Sequence, residues 1–159
     1  MSVSKVNQHT VFVYGTLKKG QPNEYFMKEV IPGNEYIGEA KTAKNYPLVI
    51  AGIWNLPMLI NKEGKGKNVH GELYRVNDEH LEHLDQFEGH PEFYERKEIH
   101  VTSLDDSKMR GSNIKCWAYF IKDDSKNEIK STYLDKYDSN ANHGLPYDNT
   151  ENDEHPDKV

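Results

Sequence analysis

Residues 77–96 read NDEHLEHLDQFEGHPEFYER, and this stretch predicts a short helix with a defined beginning and end. Asn77 is suited to cap the first turn, because its side chain can accept a hydrogen bond from a free backbone N–H. Acidic residues follow directly and favour the positive end of the helix dipole. Gly89 predicts the end of the helix, since glycine readily takes the left-handed conformation found after a last turn.

One face of the predicted helix combines apolar residues with an acid. Leu81, Leu84 and Glu88 follow each other at intervals of three and four residues, which places them on the same face. The leucines hold this face against the core, so the Glu88 carboxylate is aimed at the core as well. An isolated charge is costly there. Glu88 is therefore either a solvated or salt-bridged residue at the helix end or a functional group.

The composition indicates one hydrophilic, acidic domain. The chain has 159 residues, a formal net charge of -6 and 35% hydrophobic residues, and its mean hydropathy is -0.90. The negative charge argues against a nucleic-acid partner or an acidic membrane surface, and no apolar run reaches membrane-spanning length. Cys116 is the single cysteine, which excludes an internal disulfide and fits a reducing compartment. We therefore expect a cytoplasmic protein, with a monomer as the default state.

Apolar, β-branched and aromatic runs predict strands separated by short turns. These runs cover residues 10–14, 35–44, 46–60, 69–76, 94–101 and 114–121, and the third contains a hairpin turn at Gly52 to Asn55. A second helix is expected to open at Pro22 or Asn23 and to present an apolar stripe of Phe26, Met27, Val30 and Ile31.

The order of these elements predicts the fold class. Strands and helices do not alternate regularly, which favours an α+β fold over a doubly wound sheet, and strands that are apolar on both faces favour a closed sheet. We expect a single-domain mixed β-barrel of about six strands with two or three flanking helices. The domain is predicted to span residues 10–147, with flexible termini at 1–9 and 148–159.

The turn after the first predicted strand is a candidate binding site. The residues Tyr14-Gly15-Thr16-Leu17 follow the run TVFV, and a glycine at this point permits a close approach of the backbone. The amides of such a turn can point outward and hold a carboxylate or an oxyanion. The pattern is neither GxxxxGK[ST] nor GxGxxG, so nucleotide binding is not indicated. The alternative is an ordinary glycine at a strand end.

Other reactive side chains carry weaker signals. Tyr94 can position a polar group of a substrate and Arg96 can pair with a carboxylate, but both also fit an ordinary cross-strand pair. His80 and His83 match no metal-binding motif, and we expect them on a solvated helix face. Cys116 lies among apolar neighbours, which is typical of a small core residue and not of a nucleophile.

Six segments occur in an order and spacing that resembles the γ-glutamylcyclotransferase-like superfamily. They are VFVYGTLKKGQPN, YPLVIAG, NLPMLIN, VHGELYRV, LDQFEGHPEFYERKEI and YDSNANHGLPY. The motif YGTL alone has little specificity, whereas YGTLKKGQPN together with LDQFEGHP and HGLPY is specific. The resemblance extends from Val11 to Tyr147, and within the superfamily it is strongest to the γ-glutamylamine cyclotransferases.

The resemblance implies a fold and an activity. It implies a mixed α/β barrel with the active site at one end, small γ-glutamyl substrates, and neither a metal nor an organic cofactor. The main substrate is expected to be γ-glutamyl-ε-lysine left by proteolysis of transglutaminase-cross-linked proteins, and the products 5-oxoproline and a free amine. The family's catalytic glutamate falls on Glu88. Its substrate-cradling loop falls on Tyr14, Gly15, Thr16 and Leu17, and Tyr94 remains a candidate pocket residue.

The chemistry of this reaction fits the position of Glu88. The substrate's own α-amine must attack its γ-carbonyl carbon, but this amine is mostly protonated near neutral pH. A base within hydrogen-bond reach must take the proton. A carboxylate on an apolar helix face suits this role, because burial is expected to raise the pKa of Glu88 toward neutrality.

Two alternatives stay open at this stage. The first is a cyclotransferase for γ-glutamyl-α-amino acids or glutathione, which would differ on the leaving-group side of the pocket. We expect the hairpin within residues 46–60 and the segment HGLPY to wall that side. The second is a member of the fold that has lost catalysis and only binds a ligand or a protein, against which the presence of Glu88 argues.

Overall fold

The computed structural model describes residues 8–105 and 110–148, which form a closed β-barrel, a separate hairpin and one regular α-helix. The strands are β1 His9–Val13, β2 Glu35–Thr42, β3 Leu48–Ala51, β4 Leu56–Leu59, β5 His70–Val76, β6 Tyr94–Ser103 and β7 Asn113–Ile121. Helix α1 spans Asp78–Glu88, a π-helix spans Phe26–Val30, and a 3-10 helix spans Asp124–Lys126. The barrel order is β1–β5–β2–β6–β7, and a parallel contact between β1 and β7 closes it.

Strand β1 is enclosed by the barrel on both edges. It pairs antiparallel with β5 and parallel with β7, so neither edge is left without a neighbouring strand. Val11, Phe12 and Val13 expose 0%, 1% and 2% of their surface, which explains the continuous apolar run in this part of the sequence. Gly71 on β5 lies so close that an added Cβ would come within 2.6 Å of the Phe12 ring.

Strands β3 and β4 form a hairpin beside the barrel, with the turn at the predicted position. Gly52 and Asn55 adopt positive φ angles of 79° and 56°, which glycine and asparagine tolerate best. Every residue of the two strands is buried. Burial of both strands explains why the two apolar runs show no alternation with polar residues.

Helix α1 begins and ends as predicted. The Asn77 side chain accepts a hydrogen bond from the His80 N–H at 2.7 Å, and Gly89 ends the helix in the left-handed conformation with φ 70°. The expectation of a solvated His80 is wrong. Its ring accepts the Asn77 N–H at 3.2 Å and contacts the Pro32 carbonyl oxygen at 2.9 Å, so it completes a capping box and is 9% exposed.

The predicted second helix is shorter and wound differently. Its regular part is the π-helix Phe26–Val30, in which the Ile31 N–H donates to the Phe26 carbonyl at 3.1 Å. Phe26, Met27 and Ile31 are buried as expected. Val30 is 42% exposed, so its assignment to the apolar stripe is wrong.

The fold class is confirmed as a mixed barrel with flanking helices. The described residues contain seven strands instead of about six, because the apolar run at 46–60 forms two strands of a small sheet of its own. The expected flexible termini lie outside the described residues, except for positions 8, 9 and 148. In the described part of the chain, no helix has the length and apolar character needed to cross a membrane.

Asp85 fixes helix α1 to the barrel. Its carboxylate accepts hydrogen bonds from Arg96 Nε at 2.8 Å, from Arg96 Nη2 at 2.9 Å and from the Tyr119 hydroxyl at 2.6 Å. Arg96 and Tyr119 are register partners on β6 and β7. The guanidinium of Arg96 also lies 4.3 Å from the centre of the Trp117 ring. This bidentate contact is geometrically specific, so it sets the position of α1 across two strands.

We expect Asp85→Asn to lower the free energy of unfolding by about 1–3 kcal/mol, because Arg96 loses its charged acceptor. Urea denaturation of the purified variants measures this quantity. Glu35→Gln is the matched control, since it breaks an exposed ion pair with Arg75 at 3.0 Å and should cost less than about 1 kcal/mol. Equal losses in the two variants would contradict the docking role of Asp85.

The same contact predicts a pH dependence of stability. Burial tends to raise the pKa of Asp85, but hydrogen bonds from Arg96 and Tyr119 outweigh it and hold the pKa below its usual value. A lowered pKa stabilises the fold fully above the unfolded-state value of about 3.9, and this contribution is lost as the pH falls through the folded-state value. The stability difference between wild type and Asp85→Asn should therefore shrink in acid. Urea titrations across the acidic range test this, and a difference that widens on acidification would refute it.

Candidate active site

Glu88 is the last residue of α1, and it is fully enclosed by the protein. It exposes 0% of its surface, and Leu81 and Leu84 on the same helix face are buried with it. Its Oε2 atom is buried and has no hydrogen-bond partner among the described residues, while the residue takes part in other interactions. Glu88 therefore lies inside the core, as the spacing of the leucines predicts, and is not a solvated residue at a helix end.

Three buried tyrosines lie within electrostatic range of Glu88. Burial raises the pKa of Tyr14, Tyr94 and Tyr119, and the negative charge of Glu88 raises each pKa further. The phenol groups therefore keep their protons and act as hydrogen-bond donors. Tyr14 donates to the Tyr119 carbonyl at 2.6 Å, and Tyr94 donates to the Pro57 carbonyl at 2.9 Å.

The turn at residues 14–17 is buried and braced from the side. Tyr14, Thr16 and Leu17 each expose 0% of their surface, and the Lys18 N–H donates to the Gly15 carbonyl at 3.1 Å. Asn23 donates its backbone N–H to the Thr16 carbonyl at 2.8 Å and its side-chain N–H to Thr16 Oγ1 at 2.9 Å. From the sequence, Asn23 was predicted only as a possible start of a helix, and its contact with Thr16 was missed. The motif YGTLKKGQPN contains both residues and could have indicated this contact.

The structure separates the roles of Tyr94 and Arg96. Tyr94 begins β6, exposes 0% of its surface and lies near Glu88, while its hydroxyl contacts the β3–β4 hairpin at Pro57. Arg96, two residues further along the same strand, is held by Asp85. Arg96 therefore binds a carboxylate of helix α1, which is not the ordinary cross-strand pair that the sequence offered as the alternative. The role of Tyr94 toward a substrate stays a prediction.

The segment 137–148 packs against the same region and contains HGLPY. The Asn23 side chain contacts the Tyr147 hydroxyl at 3.5 Å. Tyr137 is fully buried, and both Tyr137 and Tyr147 are among the groups that raise the pKa of Tyr94. The contribution of Tyr137 to this region was missed from the sequence, because the segment has no regular secondary structure and little apolar periodicity.

His80, His83 and Cys116 are the remaining candidate residues from the sequence. Across residues 8–105 and 110–148, no group of three or more His, Cys, Asp or Glu side chains is placed to hold a metal ion. His83 lies on the exposed side of α1. Cys116 is a buried core residue as predicted, and burial raises the pKa of its thiol to about 12.

The structure thus brings together the residues that the sequence selected from distant parts of the chain. Glu88 from α1 lies close enough to Tyr14, from the turn after β1, and to Tyr94, from β6, for its charge to raise the pKa of both tyrosines. Gly15, Thr16 and Leu17 continue directly from Tyr14. The catalytic and binding roles of these residues stay predictions.

Comparisons with known proteins identify relatives of this chain without using the geometry of the site. The family described as Gamma-glutamyl cyclotransferase, AIG2-like, matches residues 11–139. The chain is 42% identical over 143 residues to Gamma-glutamylaminecyclotransferase of Bos taurus, covering 89% of this chain and 83% of the relative. It is 36% identical over 149 residues to Gamma-glutamylaminecyclotransferase of Homo sapiens, covering 89% of this chain and 97% of the relative.

Solved structures agree with the sequence comparisons. A crystal structure of an AIG2-like protein from Mus musculus superposes with a TM-score of 0.81 at 35% identity, covering 92% of this chain and 99% of that chain. A protein from Pyrococcus horikoshii at 24% identity, with a TM-score of 0.52 and coverage of 80% of this chain and 86% of that one, shares the fold alone. On these matches, the chain belongs to the γ-glutamyl cyclotransferase, AIG2-like family.

Proposed function

We propose that this protein is a γ-glutamylamine cyclotransferase, which converts γ-glutamylamines such as γ-glutamyl-ε-lysine to 5-oxoproline and a free amine. The observation that carries the proposal is the fully buried carboxylate of Glu88 beside Tyr14 and Tyr94. Relatives that align over 89% of this chain carry the name Gamma-glutamylaminecyclotransferase. The cellular role we propose is the release of lysine from isopeptides left by transglutaminase cross-links.

In the proposed reaction, Glu88 carries protons from the α-nitrogen of the substrate to the leaving nitrogen. Its carboxylate takes a proton from the substrate's α-ammonium, and the freed amine attacks the γ-carbonyl carbon. A new C–N bond closes the five-membered ring, and the bond from the γ-carbon to the leaving nitrogen breaks. The protonated Glu88 then gives this proton to the leaving nitrogen. The ring nitrogen, which still carries one proton more than the lactam needs, gives up that second proton through Glu88, and the amine leaves as an ammonium ion. Atoms and charge then balance with no oxidant, reductant or added water.

The turn at residues 14–17 is proposed to position the substrate. Ring closure is intramolecular, so a site that holds the γ-glutamyl chain folded back on itself supplies much of the rate. Backbone amides of the turn can hold the α-carboxylate and the oxygen that becomes negative during attack. The brace from Asn23 to Thr16 keeps the turn rigid, which favours this kind of preorganised binding.

The buried tyrosines suit the same chemistry. Tyr14 and Tyr94 keep their protons because burial and the charge of Glu88 both raise their pKa, so neither competes with Glu88 as a base. The site therefore has one group that exchanges a proton and several that hold theirs. This division supports Glu88 as the single general base and acid.

We expect Glu88→Gln to lower the rate of 5-oxoproline release by at least about 100-fold, because general acid–base catalysis commonly supplies a factor of that size or larger. Glutamine is nearly isosteric, so the fold should be retained, which circular dichroism and thermal unfolding can verify. Glu82→Gln is the matched control, since Glu82 lies on the exposed side of the same helix. Wild-type turnover in a folded Glu88→Gln protein would refute the assignment.

The competing function is a cyclotransferase for γ-glutamyl-α-amino acids or glutathione. Purified protein incubated with γ-glutamyl-ε-lysine, γ-glutamyl-alanine and glutathione separates these functions by the yield of 5-oxoproline. We expect turnover of γ-glutamyl-ε-lysine to dominate, because relatives that align over 89% of this chain carry the name Gamma-glutamylaminecyclotransferase. Preferred turnover of γ-glutamyl-alanine or glutathione would favour the competing function, and no turnover of any of the three would favour a binding protein.

A further inference from the structure

A polar cavity of about 360 Å³ opens next to the residues that follow the turn at 14–17. Its walls come from the residues that follow the turn, from β2 and β5, and from the start of the segment 137–148. Charged side chains of both signs line it: Lys18, Lys19, Lys136, Glu39, Glu72 and Asp138. A cavity lined by both signs is complementary to a ligand that carries both signs.

Lys18 supplies a buried positive charge to this cavity. It exposes 6% of its surface, and its ammonium donates to the Tyr137 carbonyl at 2.7 Å. An ammonium has three N–H donors, and no ion pair to Lys18 is found among the described residues. Burial lowers the pKa of Lys18 more than the charges of Glu72 and Asp138 raise it. The Lys18 ammonium therefore has N–H donors left with which it can bind an anionic group of a ligand.

Glu72 and Glu39 supply the negative side. They are direct register partners on β5 and β2, and like charges in this arrangement repel each other. Glu72 is 9% exposed, and its Oε1 accepts hydrogen bonds from the Tyr74 hydroxyl at 3.0 Å and the Lys19 N–H at 3.1 Å. An ammonium group bound between the two carboxylates would relieve the repulsion.

Tyr137 connects this cavity to the Glu88 region. It lines the cavity, is fully buried, and its charge state acts on Tyr94, which also feels Glu88. Glu88 is not among the residues that line the cavity, so the cavity is separate from the Glu88 carboxylate. In γ-glutamyl-ε-lysine, a flexible four-carbon stem separates the isopeptide nitrogen from the α-carbon of the lysine. A lysine leaving group therefore carries its zwitterionic head away from the reacting bond.

We propose that this cavity is the subsite for the leaving amine, in which Lys18 binds the α-carboxylate and Glu72, with Glu39, binds the α-ammonium of a lysine leaving group. The inference rests on the proposed function. It adds the residues that select an amino-acid leaving group over a simple alkylamine.

The test compares γ-glutamyl-ε-lysine with γ-glutamyl-pentylamine, which has the same stem without the charged head. Wild-type protein should show kcat/KM about tenfold or more higher for the lysine compound, the effect of at least one charge-assisted hydrogen bond. Lys18→Met should remove about tenfold from kcat/KM for the lysine compound and leave the pentylamine compound within about twofold. Lys44→Met is the control, because Lys44 pairs with Glu63 in an exposed position.

Glu72→Gln tests the negative side and keeps the acceptor for Tyr74 and Lys19. It should lower kcat/KM for γ-glutamyl-ε-lysine but not for the derivative that is acetylated on the α-amine of the lysine, which leaves the attacking γ-glutamyl amine free. A purely structural role of Lys18 or Glu72 would lower turnover of all substrates by the same factor and would overturn the subsite. Equal turnover of the two compounds by wild type would overturn it without any variant. Absence of 5-oxoproline from both compounds would instead reject the proposed function.

Discussion

The contact of Asp85 with Arg96 and Tyr119 is the constraint on which the site depends. It holds helix α1 across β6 and β7, and Glu88 lies one turn further along the same helix. Tyr119 also accepts the Tyr14 hydroxyl through its carbonyl, so the same residue links the helix to the turn after β1. Without a fixed helix, the buried carboxylate would have no defined position relative to this turn. The polar contact thus specifies geometry more than it adds stability, because its charges are only partly removed from water.

The barrel provides what a buried acid needs. A carboxylate inside a protein is costly unless its surroundings are polar or well ordered, and here tyrosine side chains from several elements supply an apolar ring with a polar tip. Tyr94 comes from β6 and contacts the β3–β4 hairpin, while Tyr14 follows β1. Closure of the sheet brings these strand ends to one place. No single strand contains all of these residues, so the site forms only when the barrel is folded.

Many features of this arrangement can be predicted from the sequence, and most of the contacts that were not predicted share one cause. The caps Asn77 and Gly89, the buried run of β1 and the aim of Glu88 follow from local spacing, and the structure agrees with all of them. The local cap of His80 on Asn77 was missed because Glu or Gln is the usual residue at that position. The burial of His80 was missed because its contact with the Pro32 carbonyl joins residues that are far apart in the chain. The same holds for Asp85 with Tyr119 and for Lys18 with Tyr137. Local patterns predict elements, whereas contacts between distant residues appear only when the topology is known.

The proposed roles of Glu88 and Lys18 give a reason for burying two ionisable side chains at a cost in stability. Both lie where an apolar residue would pack at lower cost. Each of the two groups faces its own surroundings, with tyrosines near Glu88 and carboxylates near Lys18. Natural proteins break local packing rules mainly at functional sites. The proposed substrate carries an α-ammonium and an α-carboxylate at each end, which gives a physical reason for buried ionisable groups at two separate points.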